Sequence, residues 1–231
     1  MEDYFDIKLV IEYFPQILAR IHITLLVVLV AALIGFILGI LIAATRLYKI
    51  PVLEQLSIVY ISFVRGTPII VQLFIVYYGI PLIVQKIFHI NLNRIDAIYF
   101  VILTYGLNSG AFLSEVIRSA ISSVNAGQTE AAYSVGLTKI QTFLRIIAPQ
   151  ALVTAIPNFG TSMAGLLQDS SLAFSLGIID VMGKVQAIGS VSYHVLEGYV
   201  VAAIIFLVLG ILLERAFKNL EKRASFKKGA L

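Results

Sequence analysis

Cysteine is absent from the 231 residues, which excludes disulfides, thiolate metal sites and cysteine nucleophiles. Charge is scarce. Only 13% of residues are Asp, Glu, Lys or Arg, against roughly a quarter in ordinary soluble domains. A basic start is also missing: Glu2, Asp3, Asp6 and Glu12 precede the first apolar run, so no secretory signal is assigned. His22, His89 and His194 are scattered and the carboxylates isolated. No Ser/His/Asp or HExxH arrangement results, and no catalytic residue, metal or cofactor is expected. Gly177, Gly183 and Lys184 imitate a phosphate loop, but five residues separate the glycines and Val185 replaces Ser/Thr. Internal repeats, low-complexity segments and long linkers are lacking too.

What is present is apolar, at 59% of the chain. A bilayer core takes about 20 apolar residues as helix, and five charge-poor runs meet or approach that length. They are Ile21 to Thr45, Gly66 to Gln85, Ala97 to Ser114, Ile146 to Gln168 with Pro149 and Pro157, and Gly198 to Leu213. Residues 51–64 are apolar but carry Pro51 and Glu54; they read two ways, as a segment apart or as an extension of the second span into a longer, kinked helix. The outer loop from Pro81 to Asp96 has room for a short interfacial helix. The expected fold is thus an all-α integral membrane protein of about five transmembrane helices.

Lys and Arg orient it. One face receives Arg46, Lys49, Arg118, Lys139, Arg145, Arg215, Lys218, Lys222, Arg223, Lys227 and Lys228; the other receives Lys8, Arg20, Lys86, Arg94 and Lys184. Eleven against five, with Arg65 inside the second span, puts the N-terminus outside and the C-terminus in the cytosol. The net charge of +4 comes largely from the C-terminal tail, which suits a cytoplasmic anchor near anionic lipid better than nucleic acid.

Four polar features interrupt the apolar pattern. Residues 130–149 read as helix, turn, helix: Gly136 suits the left-handed end of the first helix, and Thr138 with Gln141 forms a capping box opening the second. Ile140, Phe143, Leu144 and Ile147 give that second helix one apolar face. At Arg65-Gly66-Thr67-Pro68 the chain is read as interrupted at Arg65-Gly66, with Thr67 as N-cap and Pro68 at the first helical position. The free N–H groups and Arg65 could receive a carboxylate; equally, Arg65 could pair with Glu54 or Glu115 and fix helix packing. On the third span Thr104, Asn108, Ala111, Glu115, Ser119 and Ser122 form one stripe beside Arg118. It makes Asn108 and Glu115 either pathway and substrate contacts or members of a packing network. Asp169 is read as capping or pairing. Ala31, Gly35, Gly39 and Ala43 form a close-packing face on the first span. His194 and Glu197 are read as interfacial anchors.

Glu130-Ala131-Ala132, Gly136, Ile146 and Pro149 resemble the EAA loop of ABC importer permeases, the element that docks on the ATPase. Ala148 stands where the family usually has Leu. Arg65-Gly66-Thr67-Pro68, Val71-Gln72-Leu73-Phe74 and Tyr77-Tyr78-Gly79 look like the polar amino acid subgroup, the histidine/glutamine/arginine/cystine-type permeases. Glu115-x-x-Arg118 and Gln128 fit as well, and Gln168-Asp169-Ser170-Ser171-Leu172 is similar to a Lys-Asp-Thr/Ser-Ser-Leu pattern with the Lys lost. The resemblance implies a single transmembrane permease domain over 1–231. Residues 1–20 are its outer N-terminal segment, 21–218 the membrane domain with a cytoplasmic coupling loop at 120–148, and 219–231 a basic cytoplasmic tail. It also implies two copies of a cytoplasmic ABC ATPase, which alone hydrolyses ATP, a second permease subunit in a homo- or heterodimer, an extracytoplasmic solute-binding protein, and a bacterial plasma (inner) membrane. The substrate implied is a polar amino acid. Ser171 to Ser175 and Ile178 to Lys184 look most like cystine and sulfur amino acid permeases. A subunit of an ion-driven amino acid transporter or channel is the alternative, and a membrane scaffold a third; a capped cytosolic hairpin has no evident use in the former, nor a polar stripe in the latter.

Overall fold

The computed structural model describes residues 5–92 and 94–228, the last three as backbone only. Glu2, Asp3 and residues 229–231 lie outside the described residues, as do the side chains of Lys227 and Lys228. Among the described residues the chain is helical and has no strand. Five helical stretches are long and apolar enough to cross a membrane: Ile21–Leu47, Ile69–Phe88, Ala97–Ser122, Lys139–Leu176 and Val195–Ser225.

Helix α1 (Ile7–Leu18) is a short amphipathic helix that the sequence reading left unassigned. It buries Val10, Tyr13 and Ile17 against α10 (Val181–Ser192) and α11 (Val195–Lys228), beside Val185 and Val201. α11 continues without a break into the basic tail as far as Lys228. At 1.5 Å per residue its 34 residues span about 51 Å, well beyond a hydrocarbon core of about 30 Å.

The frame of the molecule is the pair α2 (Ile21–Leu47) and α6 (Ala97–Ser122). Ala31, Gly35, Gly39 and Ala43 are all buried in this contact, as the stripe predicted. A Cβ on Gly35 would lie 2.4 Å from the Ser109 Cβ, and one on Gly106 would lie 2.7 Å from Ile34 Cγ2. The close approach is therefore reciprocal: Gly106 and Gly110 of α6 receive Ile34 and Leu38 of α2 as α2's glycines receive Ser109 and Leu113. Such small-residue contacts are the main route to tight helix packing in lipid, where water expulsion contributes nothing between spans.

Residues 53–66 do not extend the second span. They form a separate helix, α3 (Leu53–Gly66), packed on α2 and α6 through Ile61, Val64 and Ala111. The next helix, α4 (Ile69–Phe74), begins after an extended Thr67 at φ −120°, ψ 143° and Pro68 at ψ 138°. The break lies at Thr67-Pro68 rather than Arg65-Gly66, because proline excludes the helical region for the residue before it. α4 then passes through one π-helical turn (Ile75–Gly79) into α5 (Ile80–Phe88), which completes the second membrane-crossing stretch; among the described residues no separate interfacial helix forms before Asp96.

The hairpin is built from α7 (Ala126–Ser134) and α8 (Lys139–Thr142). Its second arm is not a free-standing helix. α8 runs through a π-helical turn (Phe143–Ile147) straight into α9 (Ala148–Asp169). Pro149 lacks the N–H that an α-helical turn would place against Arg145, and the wider turn takes up that defect. A 3₁₀ segment, Ser170–Leu176, follows α9.

Gly35→Val should lower stability by about 1–3 kcal/mol through overpacking against Ser109, read as a fall in the thermal midpoint of the detergent-solubilised protein. Gly66→Ala, whose added Cβ meets nothing within 4 Å, should leave that midpoint unchanged.

Candidate functional site

A helix break inside a membrane region leaves backbone carbonyls without partners. Here two side chains, Gln72 and Thr67, answer for part of them. Gln72 Nε2 donates to the Val64 carbonyl at 2.8 Å, the Thr67 carbonyl at 3.0 Å and Thr67 Oγ1 at 2.9 Å. Thr67 Oγ1 in turn donates to the Phe63 carbonyl at 2.8 Å. Thr67 is thus the C-cap of α3 and not an N-cap; Pro68 takes the N-cap position of α4, without a side-chain bond. The expected cap moves by one residue because the hydroxyl faces the free carbonyls behind it. Asn108 Nδ2 donates to Gln72 Oε1 at 3.1 Å, tying the break to α6, with both side chains buried.

Of the rest of the α6 stripe, Thr104, Ala111 and Glu115 are used in packing, while Ser119 and Ser122 are exposed. Thr104 Oγ1 donates to the Phe100 carbonyl, and Ala111 packs on α3. Glu115 ion-pairs with Arg46 of α2 and with Arg118, the latter at 3.0 Å. It joins the ends of α2 and α6. Arg65 pairs with neither Glu54 nor Glu115 among the described residues. It is exposed, with its guanidinium 5.6 Å from the centroid of the Phe112 ring.

Phe112 also lines a cavity of about 200 Å³ between α6 and α9, together with Asn108, Ser109, Thr161, Ser162 and Asp169. Gly165 opens it, since an added Cβ there would meet nothing within 4 Å. The Asp169 carboxylate makes no capping bond and, among the described residues, no ion pair. The expectation that it caps or pairs is therefore corrected. Sequence reasoning also passed over α9 as a polar helix. Gln150, Thr154 and Asn158 repeat every fourth residue, followed by Thr161, and each side chain bonds a carbonyl four residues back. Thr154, Asn158 and Thr161 are exposed in mid-span. The i, i+4 spacing was the available signal.

The hairpin has the expected caps. Gly136 adopts φ +83°, with its N–H on the Tyr133 carbonyl and the Leu137 N–H on the Ala132 carbonyl, the paired bonds of a left-handed helix end. The Thr138 N–H reaches Gln141 Oε1 at 2.9 Å, and Thr138 Oγ1 accepts from Gln141 N at 3.4 Å. Ala132 is buried, Ile146 half-buried, and Glu130, Ala131, Gly136 and Pro149 are exposed. Exposed with them are Tyr133, Val135, Ile140, Phe143 and Leu144. The caps hold an apolar surface in the open.

At the opposite end Glu197 is fully buried. Its Oε1 accepts the Asp6 backbone N–H at 2.8 Å and contacts His194 Nδ1 at 3.1 Å, fastening α1 to α11. Asp180 caps α10 through the Gly183 N–H and receives the Thr24 hydroxyl. Burial pushes its carboxyl up to about 6, against the opposing pull of those two donors.

Residues 35–226 match the family described as binding-protein-dependent transport system inner membrane component. The chain is 44% identical, over 96% of its length and 93% of the relative, to the L-cystine transport system permease protein TcyL of Bacillus subtilis (strain 168). It superposes with a TM-score of 0.83 and 29% identity on a crystal structure of an amino acid ABC transporter with histidines, covering 95% of this chain and 99% of that one. Inward-facing MetNI methionine ABC transporter shares the fold, at 16% identity and a TM-score of 0.72 over 90% of this chain and 96% of that one.

Gln72→Leu should strand the Val64 and Thr67 carbonyls and the Asn108 amide together. At about 1–3 kcal/mol per buried unsatisfied group, a clear fall in thermal midpoint is expected in detergent; Gln72→Glu, whose carboxylate cannot donate to either carbonyl, should fall at least as far.

Proposed function

The chain belongs to the family of binding-protein-dependent transport system inner membrane components and is the permease subunit of an amino acid ABC importer, and from that premise we propose that it passes a zwitterionic amino acid, cystine or a close sulfur relative, inward across a bacterial plasma membrane. The chain is a multi-pass membrane protein and a transport subunit; ATP is hydrolysed by a separate ATPase. An ATPase and a solute-binding protein are the partners that the family implies. Two ATPase copies and a second permease subunit complete the proposed assembly.

The observation that carries the substrate reading is the cavity between α6 and α9. Arg65 lies 5.6 Å from the centroid of the Phe112 ring that forms one wall, without lining the cavity itself, and Asp169, which among the described residues makes no capping bond and no ion pair, lines it. A guanidinium suits an α-carboxylate and a carboxylate suits an α-ammonium. Thr67, Asn108 and Glu115 then serve in different ways. Thr67 and Asn108 hold the broken helix that presents Arg65, while Glu115 braces α2 against α6. One chain leaves Thr154, Asn158 and Thr161 uncovered at mid-span, and a second permease subunit on that face would give them a polar path to line. Cystine is favoured by the likeness to TcyL together with the Ser171 to Lys184 pattern.

The hairpin supports ATPase docking through Glu130, Ala131, Ala132, Gly136, Ile146 and Pro149. Its exposed apolar face is fixed by caps at both ends. The positive charge on the same end supports a cytoplasmic placement, with the N-terminus outside.

Two experiments test this reading. In a reconstituted complex, Arg65→Lys should keep ATPase association yet weaken cystine binding, because the planar fork is lost. Asp169→Asn should weaken it too, with assembly unchanged. Unchanged affinity beside disrupted assembly would make Arg65 a packing residue.

Gly136→Val should abolish uptake with insertion intact. Nothing lies within 4 Å of an added Cβ there, so the penalty is conformational, at least the 1–2 kcal/mol or so of a left-handed L-residue. Gly136→Asn should retain transport. If Gly136→Val retains ATPase binding and wild-type uptake, the docking assignment fails.

A further inference from the structure

A second cavity, of about 450 Å³, opens between α2, α6 and α9 at the hairpin end of the membrane. We propose that it holds an acyl chain of one inner-leaflet anionic phospholipid, seated against the root of the docking hairpin. The proposal rests on the placement of that end in the cytosol.

The cavity exists because small residues meet there. Ala120, Ala151 and Ala155 form a buried cluster that brings α6 and α9 together without filling the space beside them. Its deep end is closed by Phe36 of α2 and Phe159 of α9, packed edge-to-face with centroids 6.0 Å apart. Every lining side chain is apolar except Tyr48, which stands exposed at the end of α2. A hydroxyl at the rim and hydrocarbon below it match the division of a phospholipid into headgroup and chain.

The competing occupant is the second permease, and the polar surface argues against it. The exposed row Thr154, Asn158 and Thr161, with the small polar cavity, marks the faces of α6 and α9 that a partner must cover to enclose a path. Ile117, Ala120 and Ile121 lie well round α6 from Asn108 and Phe112, and Leu152 and Phe159 lie on a separate side of α9 from Thr154 and Thr161. An apolar opening turned aside from the partner face meets lipid.

The charge preference comes from the hairpin end of the membrane as a whole. Lys49 directly follows Tyr48 at the end of α2, while Arg145, two residues beyond Phe143, lies on the other face of the helical run; neither lines the cavity itself. Both cations are exposed, and no carboxylate lines the space. Basic groups at an intracellular membrane surface favour anionic headgroups. Phe143 and Ala148 belong to the π-helical turn and the start of α9 that join hairpin to span. A chain seated there would fill the space behind the element that moves when an ATPase pulls on the hairpin.

The test uses the whole importer, permease with its ATPase, in nanodiscs of phosphatidylglycerol or phosphatidylcholine, followed by native mass spectrometry of the released complex. Wild type should retain phosphatidylglycerol preferentially. Leu152→Trp, at an exposed wall position, should abolish that retention while ATPase association persists. Lys49→Gln should keep the lipid but reduce the preference for phosphatidylglycerol about fivefold, the effect of one basic side chain at an anionic surface. Equal retention by wild type and Leu152→Trp, or a cysteine cross-link from position 152 to a second permease chain, would overturn the proposal. Loss of the ATPase from the wild-type complex would instead overturn the docking assignment, so the two failures are told apart.

Discussion

A backbone N–H or C=O left unpaired in hydrocarbon costs several kcal/mol, and most of this structure can be read as the consequence. Spans are helices because only helices satisfy their own backbone in lipid. At two of the prolines the chain answers the lost bond with a change of backbone. At Pro68 the helix is cut, and Gln72 and Thr67 bond the carbonyls that the cut exposes. At Pro149 the helix is kept, and a π-helical turn takes up the missing bond. Both irregularities adjoin a proposed working part, the first beside Arg65 and the second at the hairpin root. The same prolines that strain the backbone thereby set where the molecule departs from a plain bundle.

The α2–α6 pair supplies the rigidity that those departures need. Backbones brought together over Gly35, Gly39, Gly106 and Gly110 leave no slack for either helix to slide. Glu115, between Arg46 and Arg118, closes the hairpin end of the pair. Asn108 hangs the broken helix on this frame through Gln72. A single polar side chain on α6 thus fixes the position of a break that belongs to α3 and α4, and of the two readings of Asn108, pathway contact or packing network, its burial and bonding to Gln72 fit the second.

The fold was legible where a signal is local. Span positions follow from charge-free runs, the stripe of small residues follows from four-residue spacing, and the hairpin caps follow from Gly136, Thr138 and Gln141. What was not legible depends on partners far along the chain. Glu197 looks like an interfacial anchor until the Asp6 N–H, 191 residues away, is seen on its carboxylate. Arg65 invited a choice between two glutamates, and the fold gives it an aromatic ring instead, because Glu115 already serves two arginines. Asp169 follows the commonest habits of aspartate in sequence, capping or pairing, and does neither. The break was displaced by two residues for a reason present in the sequence: proline restricts its predecessor, and Thr67 rather than Arg65 is that residue.

The hairpin and the small polar cavity are parts of one continuous helical run. Lys139–Leu176 carries the exposed apolar face proposed for docking at one end and Thr161, Ser162 and Asp169 towards the other, with Pro157 between them. Because Pro157 lacks an N–H, the carbonyl of Val153 loses its helical partner and the run has a point of lower bending stiffness there. A displacement imposed on α8 therefore reaches Ala148 through the π-helical turn and divides at Pro157, while α6, held by its glycine contacts to α2, stays in place. Beyond Pro157 the cavity wall on α9 is tied to α6, because the Tyr105 hydroxyl donates to the Asp169 carbonyl at 2.7 Å and Leu166 packs with Val101 and Tyr105. Bending at Pro157 therefore falls on the hairpin side of the run, and the separation of Phe112 and Asp169 changes only if that bond gives way.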